Sequence, residues 1–341
     1  MRKKIALASI AGLSVLALAG CNPQGAGAGG GATSAESDAP AVAIDSVQII
    51  VPADPGGGWD QTGRALSDVL TSEKLVSTAA VSNIGGAGGT VGLASLASEK
   101  DPYTLMVTGL VMVGAVETNA AENRMEDMTP IARLTEEPLV VVVPAASEYK
   151  TLQDLVDAVV EDGQAVSITG GSAGGADHIL AGLLLEEAGL DSAGITEKLN
   201  YIPNAGGGEA VSLLLGNNAS AGISGVGEFS EYVDSGDLRA LAVSSEEAAT
   251  LLPEAPTMTE EGFDIVYTNW RGLLAPGDIS EADAAALVSL VTELNDSAAW
   301  STLLEEKGWT DAFLAGDEFE SFITENIADV SGTLKNIGLV Q

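Results

Sequence analysis

After residue 42, short apolar runs alternate with segments whose apolar residues recur at helical spacing. The runs predict strands at residues 47–51, 79–82, 105–108, 139–143, 166–169, 199–202, 219–223 and 238–243. Helices are predicted from the same pattern at residues 60–70, 152–159, 179–184 and 317–337, and at 284–294 behind the N-cap residue Ser280. This alternation predicts an α/β fold with largely parallel sheets.

Four glycine-rich loops each lie between a predicted strand and a predicted helix. They occupy residues 56–58, 85–89, 170–175 and 206–208. Glycine allows the backbone N–H groups to turn toward one point, and a helix N-terminus adds partial positive charge, so each loop is a candidate anion site. A single loop of this kind is equally well explained as a tight turn. Four of them favour a cleft that holds an anion through its backbone.

The order of the predicted elements favours two lobes joined by two crossings. Residues 139–144 are a candidate crossing and residues 264–270 a candidate return. We therefore assign residues 42–143 and 266–341 to lobe 1 and residues 144–265 to lobe 2. Ligands of open α/β sheets bind at the carboxyl ends of the strands, so two facing lobes would place all four loops on one cleft.

The N-terminus has the pattern of an export signal. A basic start, residues 1–4, precedes an apolar stretch that is too short for a comfortable membrane span, and residues 1–20 are predicted to be a signal peptide. Residues 18–21, Leu-Ala-Gly-Cys, resemble a bacterial lipobox, which makes Cys21 the expected lipidation site and residues 21–41 a flexible linker. The alternative is an ordinary secretory signal with an incidental cysteine. With the lipobox, we expect the protein outside the cytoplasm, anchored to the cell membrane.

Charge excludes several classes of partner. The formal net charge is −35, and removal of Arg2, Lys3 and Lys4 with the signal peptide makes it −38. Such a chain is not expected to bind nucleic acid or to adhere electrostatically to anionic lipid. The excess acid is spread over predicted helix faces, for example at Glu246 and Glu247, and indicates a solvated surface more than a cationic ligand.

Residues 170–174 match the G-x-S-x-G pattern of hydrolases, with Ser172 at the nucleophile position. The chain has one histidine, His178, only six residues further on, and this spacing disfavours a catalytic triad. We interpret His178 as a residue that packs beside the cleft, with direct ligand contact as the alternative. A Ser172 hydrolase therefore stays a minor alternative, and no enzymatic activity is expected.

Cofactor motifs are incomplete. Residues 86–91 begin like a dinucleotide fingerprint, but Val91 stands where the third glycine is needed, and no loop continues into the Gly-Lys-Ser/Thr of a P-loop. One histidine and one cysteine make a transition-metal site improbable. We expect no cofactor and no metal; calcium held by Asp and Glu side chains is the open alternative, although no EF-hand spacing is present.

Three side chains beside the loops also have structural interpretations. Trp59 and Trp270 are expected to pack in the hydrophobic core, and a position at the hinge or cleft is an equally good interpretation for Trp270. Arg64, inside the first predicted helix, is expected to form a structural ion pair.

The chain resembles the extracytoplasmic solute receptors of tripartite tricarboxylate transporters from residue 47 to its end. The resemblance rests on Pro-Gly-Gly-Gly-Trp-Asp-Gln-Thr-Gly-Arg-Ala at 55–65, on Asn-Ile-Gly-Gly-Ala-Gly-Gly-Thr-Val-Gly at 83–92, and on segments 238–243, 252–257 and 269–276. It implies a two-lobed, type II periplasmic-binding-protein-like (Venus flytrap) fold without enzymatic activity. It also implies a monomer that binds a carboxylate anion and delivers it to a two-component membrane permease.

In such receptors, backbone amides, small hydroxyls and water hold the carboxylate. Carried over to this sequence, the expected contacts are Gly57, Gly58, Trp59, Ala87, Gly88, Ser172, Ala173, Gly206 and Gly207, with Thr108, Ser224 and Gly225 as weaker candidates. The segment that follows Trp59 is most similar to the tricarboxylate-binding branch, so citrate is the first candidate. The chain departs from the commoner family pattern at Ile84-Gly85 and at Gly170-Gly171. A lipid-anchored sensor that signals to a kinase would use the same cleft and remains an alternative.

Overall fold

A computed structural model describes residues 43–205 and 207–340. The predicted signal peptide, Cys21, the linker and Gly206 lie outside the described residues. The strands are β1 (Ser46–Val51), β2 (Thr78–Asn83), β3 (Thr104–Gly109), β4 (Thr129–Pro144), β5 (Ser167–Gly170), β6 (Asn200–Pro203), β7 (Ala221–Gly225), β8 (Leu238–Val243), β9 (Thr268–Ala275) and β10 (Thr310–Ala315).

Helices are present at all five predicted positions, and further helices lie between them. They are α1 (Gly58–Ser72), α2 (Thr90–Ser98), α3 (Leu110–Thr118), α4 (Leu152–Asp162), α5 (Ala176–Glu187), α6 (Ser192–Lys198), α7 (Gly207–Leu215), α8 (Val226–Asp234), α9 (Glu281–Asn295), α10 (Ala298–Lys307) and α11 (Asp317–Asn336). Ser280 caps α9 by accepting a hydrogen bond from Asp283 N, which confirms its predicted role. Among the described residues, no helix is long and apolar enough to cross a membrane.

The strands form one mixed sheet in the order β2-β1-β3-β9-β4-β7-β5-β6, and β8 and β10 also pair with β4. The strands β2, β1 and β3 run parallel at one end, and β6, β5 and β7 run parallel at the other. In the centre, β4 is antiparallel to β7, β8, β9 and β10. The sheet is therefore parallel at its ends, as expected, but antiparallel in its centre.

Strand β4 belongs to both parts of the sheet. Its residues 129–138 pair with β9, whereas residues 139–144 pair with β7 and β8. Its burial is nearly continuous, so the strand is packed on both faces over most of its length. The chain crosses between the two parts for a second time between β8 and β9, which confirms a periplasmic-binding-protein-like arrangement with two crossings. The lobe boundaries at 143/144 and 265/266 stay a prediction.

Ser244 fastens the two crossings to each other. Its backbone N–H donates to Leu139 O, and its hydroxyl accepts from Leu139 N at 2.8 Å and donates to Tyr267 O. Its carbonyl also accepts from Tyr267 N at 2.8 Å. One fully buried serine thus connects the middle of β4 with the segment that leads into β9.

Replacing Ser244 with alanine is expected to lower the free energy of unfolding by about 1–3 kcal/mol, because two buried backbone groups lose their hydroxyl partner. Urea unfolding followed by tryptophan fluorescence measures this loss. Ser245→Ala is the matched control, since the Ser245 hydroxyl is buried without a partner in the described chain and its removal is expected to cost far less. Equal losses in the two variants would contradict this role of Ser244.

Candidate functional site

A cleft of about 290 Å³ lies at the carboxyl ends of the strands, where loops from both parts of the sheet meet. Small residues make up much of its wall, and the polar side chains are few. It is lined by Pro52, Ala53, Gly57, Gly58, Trp59, Gly86, Ala87, Gly88, Gly89, Val111, Asn119, Gly171, Ser172, Ala173, Asp177, Pro203, Asn204, Ala205, Ser224, Gly225, Glu228, Asn269 and Arg271.

Most of the residues expected at a ligand site lie on this wall. They are Gly57, Gly58, Trp59, Ala87, Gly88, Ser172, Ala173, Ser224 and Gly225. Thr108 is fully buried, and its hydroxyl lies 3.4 Å from Met112 Sδ instead of facing the cleft. Gly206 lies outside the described residues, and Gly207 begins α7, two positions after the cleft residue Ala205. Their roles as ligand contacts stay predictions.

The first loop needs glycine for a reason that the sequence did not reveal. Gly57 and Gly58 precede and begin α1, and Gly57 has an extended backbone with φ −85°. A Cβ atom on Gly58 would lie 2.2 Å from Arg271 Nη2. Glycine at position 58 is therefore required because a guanidinium group packs against the start of the helix. Gly56, with φ +103°, is the residue that makes the turn.

The start of α1 is fixed by a buried acid. The Asp60 carboxylate accepts hydrogen bonds from Gly56 N at 3.0 Å, Arg64 Nε at 2.9 Å and Asn83 Nδ2 at 2.9 Å. Burial acts to raise the pKa of Asp60, but these hydrogen bonds outweigh it and lower the pKa below its usual value. The ion pair between Asp60 and Arg64 confirms the structural role expected of that arginine.

The second loop is wound in the left-handed region. Gly86, Ala87, Gly88 and Gly89 have φ values of +126°, +48°, +65° and +95°. An L-residue such as Ala87 in this region costs about 1 kcal/mol. A Cβ on Gly89 would lie 2.7 Å from the Trp59 ring. This loop therefore approaches the first one closely, as only glycine permits.

The third loop contains the serine and the histidine considered for catalysis. Gly174 N donates to His178 Nδ1 at 3.1 Å, and the His178 ring stacks on Tyr201 with centroids 4.0 Å apart. Burial lowers the pKa of His178 to about 4, so the ring is neutral at physiological pH. In the described part of the chain, no hydrogen bond connects His178 to Ser172. The geometry agrees with a packing role for His178 and gives no support to a hydrolase.

The end of β6, which leads to the fourth loop, is tied to the third loop. Asn204 Nδ2 donates to Gly170 O at 2.7 Å and to Thr169 Oγ1 at 2.8 Å, and Tyr201 OH donates to Gly171 O at 3.0 Å. The end of β6 and the third loop are thus held as one unit.

Four charged side chains lie beneath the loops, and sequence reasoning did not identify them as a group. This acidic floor consists of Glu137 on β4, Asp177 on α5, Glu228 on α8 and Arg271 on β9. Arg271 Nη2 donates to Glu137 Oε1, and both side chains are almost completely buried, with 2% and 1% exposure. Glu137 Oε2 also accepts from Trp309 Nε1 at 3.1 Å.

The glycine at the start of α8 makes room for this ion pair. A Cβ on Gly225 would lie 2.2 Å from Glu137 Oε1, which repeats on α8 the relation of Gly58 to Arg271 on α1. Two predicted ligand residues therefore serve a packing function. The available signal in the sequence was Glu137 itself, an acid two residues before the apolar run 139–143.

The other two acids of the floor have raised pKa values. Burial raises the pKa of Asp177 to about 7; the charge of Glu137 adds to the shift, and a hydrogen bond from Gly171 N opposes it. Burial likewise raises the pKa of Glu228 to about 7, with repulsion from Glu137 and Asp177, while Arg271 and the N–H of Gly58 oppose the shift. Both acids therefore titrate close to neutral pH.

Several buried polar atoms at the cleft have no hydrogen-bond partner within the described residues. They are Trp59 Nε1, Arg271 Nε and Nη1, and Asn269 Oδ1. Three of these four atoms are donors, and unsatisfied buried donors are costly. Unpaired buried donors therefore belong to Trp59 and Arg271, two residues that line the cleft.

Trp270 lies next to this arginine but points to the opposite side of the sheet. It is buried, its Nε1 donates to Asn326 Oδ1 at 2.9 Å, and its ring packs edge-on against Phe322 at a centroid distance of 5.2 Å. Of the two interpretations of Trp270, the core role is the one that the structure supports.

Known proteins share both sequence and fold with this chain. Residues 64–339 match the family described as Tripartite tricarboxylate transporter family receptor. Protein BugT of Bordetella pertussis is 29% identical over 305 residues, which are 86% of this chain and 89% of BugT. The periplasmic binding protein BugD superposes with a TM-score of 0.76 at 22% identity, over 86% of this chain and 98% of BugD. MatC of Rhodopseudomonas palustris, solved with bound malate, superposes with a TM-score of 0.73 at 22% identity, over 85% and 98% of the two chains.

The titration of Asp177 predicts how stability depends on pH. Its pKa in the folded chain is about 7 and its unfolded value is about 3.9, so the folded state binds the proton more tightly between these values. The free energy of unfolding should therefore fall as the pH rises from about 4 to about 7. Asp177→Asn cannot ionise and is expected to show a smaller fall and a higher melting temperature than the parent at pH 8.

Thermal unfolding of both proteins at pH 5 and pH 8 measures this difference. Glu187→Gln, on the exposed end of the same helix, is the control and should melt like the parent at both pH values. An Asp177→Asn variant that melts lower than the parent at pH 8 would show that the carboxylate stabilises the fold, contrary to the prediction.

Proposed function

Because the chain belongs to the tripartite tricarboxylate transporter receptor family, we propose that it captures a di- or tricarboxylate in its cleft and delivers it to a two-component permease of that transporter type. The family consists of extracytoplasmic solute-binding receptors and is not a family of enzymes. Citrate is the first candidate ligand. Lipidation of Cys21 would keep the receptor at the membrane where the permease lies.

The observation that carries this proposal is the set of uncapped helix N-termini at the cleft. The N-cap residues of α1, α5 and α8 are Gly57, Gly175 and Gly225, and none of them caps its helix through a side chain. The first-turn N–H groups of these helices are the donors that bind carboxylates at helix N-termini elsewhere. Each contact of this kind contributes about 0.3–1 kcal/mol when exposed and up to about 2 kcal/mol when partly buried.

Several such contacts can outweigh the repulsion from the acidic surface. The net charge of −35 is distributed over the whole chain and is screened by salt beyond about 10 Å. A ligand in the cleft meets the local donors at hydrogen-bond distance, where screening is weak. A strongly acidic protein can therefore bind an organic anion.

The size of the cleft agrees with a small acid. About 290 Å³ is at the lower end of the range for small-molecule pockets. MatC, which has the same fold, was solved with malate, an acid of four carbons. Closure of the two proposed lobes, 42–143 with 266–341 against 144–265, would enclose a ligand of that size.

Isothermal titration calorimetry of the full chain, solubilised in detergent, tests the proposed ligand class. We expect micromolar or tighter binding of citrate in a panel that also contains malate, succinate, glutamate and terephthalate. Binding of another acid of the panel would keep the receptor and replace its ligand. Absence of binding for all five acids would contradict the proposed function.

Gly57→Val tests the first loop as a contact. Gly57 has φ −85° and ψ 177°, an extended conformation that valine adopts readily, so the fold should be retained while the new side chain fills the cleft wall. We expect at least a hundredfold loss of affinity for the bound acid, measured by the same titration, with a cooperative thermal unfolding transition retained and only a small fall in melting temperature, since valine is a poorer N-cap residue than glycine.

Gly332→Val is the matched control. Position 332 lies on the exposed side of α11, and a Cβ there would meet no atom within 4 Å. The control should bind like the parent. Unchanged affinity in Gly57→Val would show that the first loop does not contact the ligand.

A further inference from the structure

We infer that Asp177 and Glu228 form an acid subsite in the cleft that takes up a proton when a ligand carboxylate binds. The receptor would then capture its anion together with about one proton. The inference rests on the proposed function, since it specifies how the same cleft accepts a carboxylate.

The charges of the acidic floor do not balance. Glu137 already pairs with Arg271, the one cation among the residues that line the described cleft. No basic side chain in the described chain forms an ion pair with Asp177 or Glu228. With both acids ionised, the floor of an anion-binding cleft would carry two uncompensated negative charges, which opposes the entry of a further anion.

The two acids also occupy donors that a ligand needs. Asp177 Oδ2 accepts from Gly171 N at 2.6 Å, directly beside Ser172 and Ala173 of the third loop. The Glu228 carboxylate lies against the start of α1, where its Oε1 would be 3.1 Å from a Cβ on Gly58. Each acid thus lies next to a loop that lines the cleft, and a ligand carboxylate has to share this space with it.

A separate observation points to an anion at this place. Arg271 is 2% exposed and lines the cleft, yet its Nε and Nη1 atoms have no acceptor within the described residues. The Trp59 side chain, 7% exposed as a residue, also lines the cleft, and its Nε1, which has no partner within the described residues, lies towards Gly109 of β3. Buried donors of this kind match the oxygen atoms of a carboxylate, whereas a cationic ligand would leave them unsatisfied.

Among the described residues that face the two acids, the other titratable groups are His178, Tyr201, Tyr267, Glu137 and Asp60. His178 stacks on Tyr201 and is kept neutral, because burial lowers its pKa to about 4. Burial raises the pKa of Tyr201 and of Tyr267 above the usual tyrosine value. Glu137 pairs with Arg271, and Asp60 pairs with Arg64. Asp177 and Glu228, with pKa values of about 7, are the groups that titrate in this range.

The geometry gives the proton a defined position. A protonated Asp177 or Glu228 donates its O–H to an oxygen of the ligand carboxylate, and the ionised ligand accepts it. The proton, taken from the solvent, removes one negative charge from the floor, and the resulting O–H adds one hydrogen bond to the ligand. Hydrogen bonds between an O–H group and a carboxylate are short and strong.

Calorimetric titration of the full chain at pH 7.5, 8.0 and 8.5 tests the inference, with the same five acids as probes. At these pH values the carboxyl groups of the probes are almost fully ionised, so protons taken up belong to the protein. Titrations in two buffers of different ionisation enthalpy give the number of protons. We expect uptake of about one proton per ligand and a Kd that rises about tenfold per pH unit.

Amide substitutions identify the groups that carry the proton. Asp177→Asn and Glu228→Gln imitate the protonated acids, so at pH 8.5 we expect at least one of them, and the double variant, to bind several-fold more tightly than the parent and to lose the pH dependence. Glu187→Gln and Glu231→Gln lie on exposed positions of the same two helices and should behave like the parent. A gain in affinity cannot result from misfolding.

The outcomes separate this inference from the proposed function. Binding without proton uptake, or an unchanged pH dependence in the double variant, overturns the inference and leaves the receptor in place. Release of protons, with tighter binding at higher pH, also overturns it and shows that the acids neutralise a cation that accompanies the ligand. Failure of all five acids to bind at every pH overturns both.

Discussion

The buried ion pair between Glu137 and Arg271 is the interaction on which the cleft depends. Taking both charges out of water costs several kcal/mol per ion, and only close pairing with further hydrogen bonds compensates for that cost. Glu137 receives a second donor from Trp309, and the guanidinium carbon of Arg271 lies 5.1 Å from the centre of the same indole ring. The pair joins β4 to β9 directly below the loops, so its position determines how closely the helices α1 and α8 can approach.

This constraint explains the glycines at two helix starts better than backbone freedom does. Gly58 and Gly225 lie against Arg271 and Glu137, and neither needs a positive φ. Any side chain at either position would displace a charged group that has no other place to pair. The glycines therefore serve two purposes at once, because they expose helix N-termini to the cleft and cover the charges beneath it.

The sequence allowed good prediction of the elements whose signals are local. Seven of the ten strands in the described residues, and the second part of β4, follow short apolar runs, and the Ser280 cap and the loops were evident from residue type and spacing. The strands β9 and β10 and the first part of β4 were not predicted, since segment 129–138 mixes polar and apolar residues and is stabilised by pairing with distant strands. The acidic floor was missed for the same reason. Its members are up to 134 residues apart, and only the topology of the sheet brings Glu137 and Arg271 together.

Each of the three cleft helices has an acid in its first turn, namely Asp60, Asp177 and Glu228. Asp60 is held by Gly56, Arg64 and Asn83, but Asp177 accepts from Gly171 N and Glu228 lies against Gly58. Because these two carboxylates are tethered beside N–H groups of the cleft, their effective concentration there is high, whatever the solution contains. A small inorganic anion such as chloride has to compete with them as a single free ion. A polycarboxylate competes with several groups at once. If the cleft binds a carboxylate as proposed, a ligand with several carboxyl groups would displace the internal acids more readily than a single small anion would.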